Sequence, residues 1–306
     1  MAHGRAHLAL IPAAGRGTRF LPLTKSVPKE LAPIVSTPAL EFVVAEASSN
    51  GITDVLVVVS KGKTAIADYF AADPDLEAAL REKGDETGLA SIRRAAELAT
   101  FHYVEQLEPR GLGDAVAHGE QFSAGEPLVV MLPDDLIDDR DELLRTMIDV
   151  QAARGGIVLG LLDVPRAEIG KYGCAAPAPG ADLSADVVAL ADLIEKPDPQ
   201  EAPSTLALIG RYVLPPEIFD ALRETKPGAG GEIQLTDAMR RLAAAGVPVH
   251  GVVFRGRRYD TGDRLEYVKA VVQLAGRHPE IGRDFTAWLR EYVRTGMTDR
   301  GEQIRG

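Results

Sequence analysis

Three short runs, Leu8–Pro12, Val55–Val59 and Leu128–Leu132, carry no polar residue. A strand with one face in water alternates apolar and polar residues, so a strand that is apolar throughout must be covered on both faces. None of the runs approaches the roughly 18–20 residues that a membrane span needs. Between the runs lie segments with apolar residues at helical spacing. Ala39–Ser49 is closed by Asn50-Gly51, a C-terminal cap signal. Charged, alanine-rich helices follow Ile52–Val59 and extend to about residue 98; Phe101–Glu105 is strand-like, Gly113–Phe122 helical, Pro127–Leu132 a buried strand and Asp139–Ala153 a helix. Such alternation predicts an α/β fold: a Rossmann-like, mostly parallel central sheet flanked by helices.

The texture changes at Gly155. Ile157–Asp163, Val187–Glu195 and Leu206–Val213 read as strands interrupted by Pro177, Pro179, Pro197 and Pro199, which predicts a smaller, mixed β extension. Arg264–Thr295 reads as a helical C-terminus, and residues 296–306 as a frayed tail. There is no internal repeat, low-complexity stretch or obvious linker, so one compact unit over residues 1–306 is expected.

Charge and composition exclude several functions. Forty-five acidic against 34 basic residues give a net charge of −11, which disfavours any broad surface for nucleic acid or anionic membrane. The single cysteine, Cys174, cannot form an internal disulfide, and the six histidines are scattered without an HxH or HExxH pair. Leu8–Ala14 has the size of a signal-peptide core, but it runs into Arg16, Arg19 and a glycine loop instead of a cleavage segment. A cytoplasmic protein is expected.

Against this acidic background, residues 1–30 carry five bases (Arg5, Arg16, Arg19, Lys25, Lys29) and one acid, Glu30. The loop Ala13-Ala14-Gly15-Arg16-Gly17-Thr18-Arg19 follows the first strand, the edge at which α/β sheets bind ligands. Gly15 and Gly17 let backbone N–H groups approach phosphate oxygens with no Cβ in the way. A polyphosphate suits that combination. The dinucleotide fingerprint GxGxxG fails at Phe20, and Gly62-Lys63-Thr64 is set aside as a P-loop because Val57 stands at the required leading glycine. Arg110-Gly111-Leu112-Gly113, after Gln106, opens a helix and can either admit a flat base or phosphate or serve as a plain turn.

Leu132-Pro133-Asp134-Asp135 ends an apolar strand, and a carboxylate there either is placed for Mg²⁺, which takes oxygen donors, or is a helix-capping or loop aspartate. Tyr259-Asp260-Thr261-Gly262-Asp263 offers either a second ligand or a helix N-cap. Ile194-Glu195-Lys196-Pro197 is either a site for a sugar hydroxyl and a phosphate or a surface ion pair.

In this order, the pieces resemble the sugar-nucleotidyltransferase family from about Leu8 to Leu265. The resemblance rests on Gly15-x-Gly17-Thr18-Arg19 with Pro28-Lys29-Glu30-Leu31, and on Ile11-Pro12-Ala13-Ala14-Gly15. It also rests on Gln106 with Gly111-Leu112-Gly113, Leu132-Pro133-Asp134, Ile209-Gly210-Arg211-Tyr212-Val213 and Gly230-Gly231-Glu232-Ile233-Gln234-Leu235-Thr236-Asp237, which favour the uridylyltransferase branch over the thymidylyl branch. Arg16 departs from the pattern, as does Asp135, an extra acid that leaves the metal ligand open between neighbours.

The resemblance implies UTP and glucose 1-phosphate as substrates, UDP-glucose and pyrophosphate as products, Mg²⁺ as cofactor, and a homodimer or homotetramer. It implies a nucleotide-binding half over about 1–154 and a sugar-binding and C-terminal helical part over about 155–306. By residue, it places Arg19 and Lys29 on the triphosphate, lined by Ala13, Ala14, Gly15, Gly17 and Thr18. Glu30, Gln106 and Gly111 fall on the uracil edge, and Asp134 and Asp260 on Mg²⁺. Glu195 and Gly173 contact glucose, and Lys196 the sugar phosphate. A thymidylyl- or cytidylyltransferase, and an inert nucleotide-binding module, are the alternative readings.

Overall fold

The computed structural model describes residues 4–296. Strand β1 (Leu8–Ala13) leads through three single-turn 3-10 helices to the two-residue strands β2 (Pro33–Ile34) and β3 (Thr37–Pro38) and then helix α1 (Ala39–Ser49). Next come β4 (Asp54–Ser60), α2 (Thr64–Phe70), α3 (Pro74–Lys83), α4 (Glu86–Glu97) and β5 (Thr100–Gln106). The first half closes with α5 (Leu112–Ala117), α6 (Glu120–Ser123), β6 (Leu128–Met131), β7 (Asp135–Ile137) and α7 (Leu143–Arg154). The second half contains β8 (Ile157–Asp163), β9 (Gly173–Pro177), β10 (Val187–Glu195), β11 (Leu206–Leu214), α8 (Ile218–Glu224) and α9 (Leu235–Ala244). It ends with β12 (Val249–Phe254), β13 (Arg258–Asp260), α10 (Arg264–Ala275) and α11 (Gly282–Thr295).

Nine strands form one sheet in the order β5-β4-β1-β6-β11-β8-β12-β10-β9. β5, β4, β1 and β6 are mutually parallel, β8 and β12 run the same way, and β10 and β11 run against them. The expected mixed, mostly parallel sheet is therefore present, but of the three strands expected in a smaller extension β8 and β11 lie in the middle of this sheet, and only β10 is near its edge, paired with β9. The chain runs from β1 outward to β4 and β5 and then crosses back to β6 on the other side of β1, so the strand order reverses beside β1 and a crevice opens at its carboxyl end.

The unbroken apolar runs have a simple cause. Alternate residues of a strand face opposite sides, and here both sides are covered. Ala9, Ile11, Val55, Val57, Val129 and Met131 join one core with Leu40, Val43 and Val44 of α1. Leu10, Val58, Leu128 and Val130 join the other, with Val116 of α5 and Leu222 and Met239 of α8 and α9. Helix caps follow the sequence signals: Asp73, Asp85 and Asp263 each accept a hydrogen bond from a first-turn backbone N–H, and α3 ends on Gly84 in the left-handed region.

Three helical segments are shorter or more broken than expected. The segment 113–122 splits at Gly119, which packs so closely on β1 that a Cβ there would lie 2.7 Å from Leu10 Cδ1. α7 begins only at Leu143, because Asp138 and Asp141 are bonded to Arg140 and Arg257 and hold an irregular turn. The C-terminal segment divides between Ala275 and Gly282, where the Gly282 N–H donates to His278 O at 2.8 Å. The tail expected to fray lies, beyond Gly296, outside the described residues. Among the described residues, no helix is long and apolar enough to cross a membrane.

Candidate active site

The loop after β1 is built around its glycines and the stem of Lys29. Ala13 and Ala14 are buried, and the chain leaves the core at the exposed Gly15. Gly17 has φ 59°, and a Cβ on it would lie 3.0 Å from Thr24 Cγ2 and 3.1 Å from Lys29 Cβ. The Thr24 hydroxyl donates to Gly17 O at 2.8 Å and pins the turn. Thr18 and Arg19 are exposed beyond it, with Arg19 Nη1 donating to Gly262 O at 3.1 Å. The loop thus touches the segment after β13, some 240 residues away in sequence.

Opposite the loop, at the end of β6, Asp134 Oδ2 accepts a 2.6 Å hydrogen bond from Lys29 Nζ. Burial works against both charges, but each offsets it for the other. Lys29 is raised above the ordinary lysine value by Asp134, and Asp134 is held below the carboxylate range by Lys29. Thr261 fixes the Asp134 backbone, donating to its carbonyl from N at 2.7 Å and from Oγ1 at 3.0 Å. The antiparallel β7–β13 pair sets Asp260 opposite Asp135. A Cβ at Gly262 would lie 2.7 Å from Asp134 Oδ2 and 3.2 Å from Asp260 Oδ1, so the two carboxylates flank this glycine. Burial raises the Asp260 carboxyl; Arg258 opposes the shift, while the negative charges of Asp134 and Asp135 add to it.

Asp135 has a different task. Its Oδ2 accepts Gly210 N–H at 2.7 Å and its Oδ1 accepts Arg258 Nε at 2.6 Å, so both oxygens are engaged inside the fold. Arg211 is wholly buried and reinforces the same turn, donating to Leu132 O at 3.3 Å, Asp135 O at 2.8 Å and Glu46 Oε2 at 2.6 Å.

On the other flank of the loop, Glu30 and Gln106 are both buried. Gln106 Nε2 donates to Asp114 Oδ2 at 2.7 Å, which fixes its amide beside the Gly111 turn. Gly111 has φ 104°, and a Cβ there would meet Ile233 O at 2.8 Å and Glu232 Cβ at 2.8 Å. Ile233 N donates to Arg110 O at 2.7 Å and accepts Gly113 N–H on its carbonyl at 2.8 Å. Two motifs more than a hundred residues apart are thereby interleaved.

Gly173 of β9 stands opposite Glu195 of β10. Glu195 Oε2 accepts the Thr236 hydroxyl at 2.7 Å, and a Cβ at Gly173 would lie 3.3 Å from that same oxygen. Lys196, with φ 43°, is at the rim; 61 % of its side chain is exposed and its Nζ lies 3.5 Å from Glu195 Oε1. A cavity of about 840 Å³ joins Arg19, Asp134 and Asp260 to Lys171, Tyr172 and Arg258.

Lys63, Asp114, Thr236 and Arg258 belong to this arrangement and were not among the expected site residues. Lys63 Nζ donates to Ala13 O at 2.7 Å, Gly15 O at 2.8 Å and Glu30 Oε2 at 3.1 Å. The one signal that could have found it was the Gly62-Lys63-Thr64 echo at the end of a central strand. Asp263, by contrast, is the N-cap of α10.

Two carboxylates on either side of a glycine form a small oxygen-lined cradle, and that donor set fits Mg²⁺, which takes one or two protein carboxylates and completes its shell with water and substrate phosphates. Among the described residues, no group of three or more His, Cys, Asp or Glu can hold a metal without such help.

The chain is similar to known proteins over most of its length. The family model described as "Nucleotidyl transferase" matches residues 8–276. The UTP–glucose-1-phosphate uridylyltransferase YngB of Bacillus subtilis is 42 % identical over 286 residues, 94 % of this chain and 95 % of that protein. The UTP-bound UGPase of Acinetobacter baumannii superimposes with a TM-score of 0.85 at 34 % identity, covering 93 % of this chain and 98 % of that one. A UDP-glucose pyrophosphorylase complexed with UDP-glucose does so with a TM-score of 0.80 at 37 % identity, covering 89 % and 99 %.

Proposed function

The chain belongs to the nucleotidyl transferase family, and we propose that it transfers the uridylyl group of UTP to glucose 1-phosphate, giving UDP-glucose and pyrophosphate. The observation that carries this reading is the meeting of the basic glycine loop with the Asp134–Asp260 carboxylates across one crevice. Nothing in it calls for a nucleophilic side chain. A sugar phosphate carries close to two negative charges at neutral pH, and its own oxygen attacks the α-phosphorus in line while pyrophosphate leaves.

The chain has to bring two anions together and offset the charge that spreads over the phosphorus. Arg19 and Lys29 hold the triphosphate against the N–H groups of the Ala13–Thr18 loop. Glu30, Gln106 and the backbone at Gly111 take the uracil edge. Glu195, oriented by Thr236, takes glucose hydroxyls beside Gly173, where no side chain intrudes, and Lys196 reaches the sugar phosphate from the rim. Nucleotidyltransferases of this kind generally use a divalent metal. Asp134 and Asp260 would hold Mg²⁺ here, and it would supply charge neutralisation at phosphate oxygens and polarisation of the reacting phosphorus. The enzyme acts in the cytoplasm as a homodimer or homotetramer.

Pyrophosphate release measured with Mg²⁺ and glucose 1-phosphate, comparing UTP, dTTP, CTP and ATP, tests the reading. UTP alone should support strong release. A preference for another nucleotide would keep the transfer chemistry and overturn the assignments of Glu30 and Gln106; silence with all four would overturn the reaction itself.

A further inference from the structure

An ammonium group has three N–H donors. The three acceptors around Lys63 Nζ, at 2.7, 2.8 and 3.1 Å, account for all of them, so Lys63 has none to offer a phosphate and differs in this from the P-loop lysine that its neighbours imitate. Its side chain is 16 % exposed, and that of Glu30 only 1 %. Glu30 Oε2 faces Lys63, while Glu30 Oε1 is buried with no hydrogen-bond partner. A carboxylate oxygen left bare inside a protein is costly, so a donor that reached Oε1 would offset that cost.

We infer that Lys63 is a positioning residue for the nucleotide: it ties the Ala13–Gly15 turn to Glu30 and holds that carboxylate with Oε1 ready for an N–H or O–H donor of the uridine moiety. The inference rests on UTP being the substrate and deepens that reading. The charged groups acting on Glu30 are Lys63 and the neighbouring Lys29. Lys29 is already bonded to Asp134, so Lys63 is the cation that fixes the Glu30 geometry. Uracil has an N–H at N3 and the ribose has hydroxyls, whereas N3 of cytosine has no hydrogen. A carboxylate, which only accepts, favours the first two and repels the third.

The test is steady-state kinetics of Lys63→Met, Lys63→Arg, Glu30→Gln and the Lys63→Met/Glu30→Gln double variant with UTP, dUTP and CTP. For Lys63→Met, KM for UTP should rise roughly tenfold or more, the scale of a lost charge-assisted hydrogen bond, while KM for glucose 1-phosphate stays within about twofold. Lys63→Arg should recover most of the loss. The double variant should be hardly worse than Lys63→Met alone, because the two residues act as one unit. In wild type, equal use of UTP and dUTP assigns the donor to the base, and selective loss of dUTP assigns it to the ribose. A fall in kcat with both KM values unmoved, or an equal rise in both, would reduce Lys63 to a structural residue and overturn the inference. So would full additivity in the double variant. If Lys63→Met does not fold, Lys63→Gln, which keeps two donors and loses the charge, carries the same test. A wild-type enzyme that ignores UTP sinks the function and the inference together; one that uses UTP while the Lys63 variants keep its KM sinks the inference alone.

Discussion

Lys29 Nζ and Asp134 Oδ2 are 2.6 Å apart, so the cation assigned to the triphosphate is paired with the carboxylate assigned to the metal. A divalent cation on that Asp134 oxygen would compete with Lys29, and an ammonium released from it would lie beside the loop proposed to receive the phosphates. Removing Lys29 should then have opposite effects on metal and nucleotide. Lys29→Met is expected to bind Mn²⁺ alone about three- to tenfold more tightly, the range for a partly exposed pair at hydrogen-bond distance, while KM for UTP rises. Paramagnetic titration with Mn²⁺ reads the first effect. Unchanged or weaker Mn²⁺ binding would show that Asp134 does not hold the metal.

Asp134 and Asp135 are adjacent and chemically identical, yet their surroundings separate them. Asp134 is tied by one lysine, whereas both Asp135 oxygens are engaged by Gly210 and Arg258. Asp134→Asn should keep its Tm and lose turnover by a factor on the order of 100, as when one charge-stabilising group is removed from an active site. Asp135→Asn should leave Arg258 short of a charged partner in the interior and lose stability by about 3 kcal/mol, the cost of breaking a buried pair. Calorimetry and kcat together distinguish them. If Asp135→Asn is stable and inactive while Asp134→Asn turns over, the metal role belongs to Asp135.

The sheet was legible because burial on both faces leaves a compositional mark: short unbroken apolar runs such as Leu8–Pro12, alternating with helical patterns, fit strands covered on both sides. The loop was legible because glycines and clustered bases stand out against an acidic chain straight after the first strand. Lys63 was not, since its partners include the carbonyls of Ala13 and Gly15, and a backbone acceptor has no signature in sequence. The interleaving of Gly111 with Ile233 was hidden for a related reason: it is a close approach of two chain segments, visible only once β5 and α9 have been packed on the same core. The break at Gly119 likewise depends on Leu10, a residue more than a hundred positions away.

Asp138 links the turn after β7 to the segment after α10. Its carboxylate accepts Arg140 Nε at 2.6 Å, Tyr259 Oη at 2.9 Å and Arg277 Nη1 at 2.5 Å. The Arg140 hydrogen bonds, with help from Tyr259 and Arg277, hold its carboxyl far below the ordinary value. A carboxyl that is depressed in the folded state contributes stability above its unfolded pKa and loses that contribution as pH falls toward the folded value. From about pH 4 downward, the Tm of the wild type should therefore fall more steeply than that of Asp138→Asn. At pH 7 the variant should melt lower, by on the order of 5 °C. Parallel Tm–pH curves would mean that Asp138 is not the group responsible.

Glu195 and Lys196 are neighbours with different exposure. Glu195 is fixed by Thr236 at 2.7 Å, and Lys196 projects from the rim with 61 % of its side chain in solvent and a backbone φ of 43°. A side chain so placed contributes little to folding and is free to swing toward an anion. Lys196→Ala should leave Tm unchanged and KM for UTP nearly so, while KM for glucose 1-phosphate rises roughly tenfold, the scale of one charge-assisted contact to a phosphate. Thr236→Val, which removes the hydroxyl that orients Glu195, should weaken sugar phosphate use less than Lys196→Ala and leave its charge dependence intact. Competition by inorganic phosphate separates the two, because phosphate lacks the sugar hydroxyls that Glu195 would take but keeps the charge for Lys196. Phosphate should inhibit wild type and Thr236→Val alike and inhibit Lys196→Ala weakly. Equal inhibition of all three would move the anion site away from Lys196.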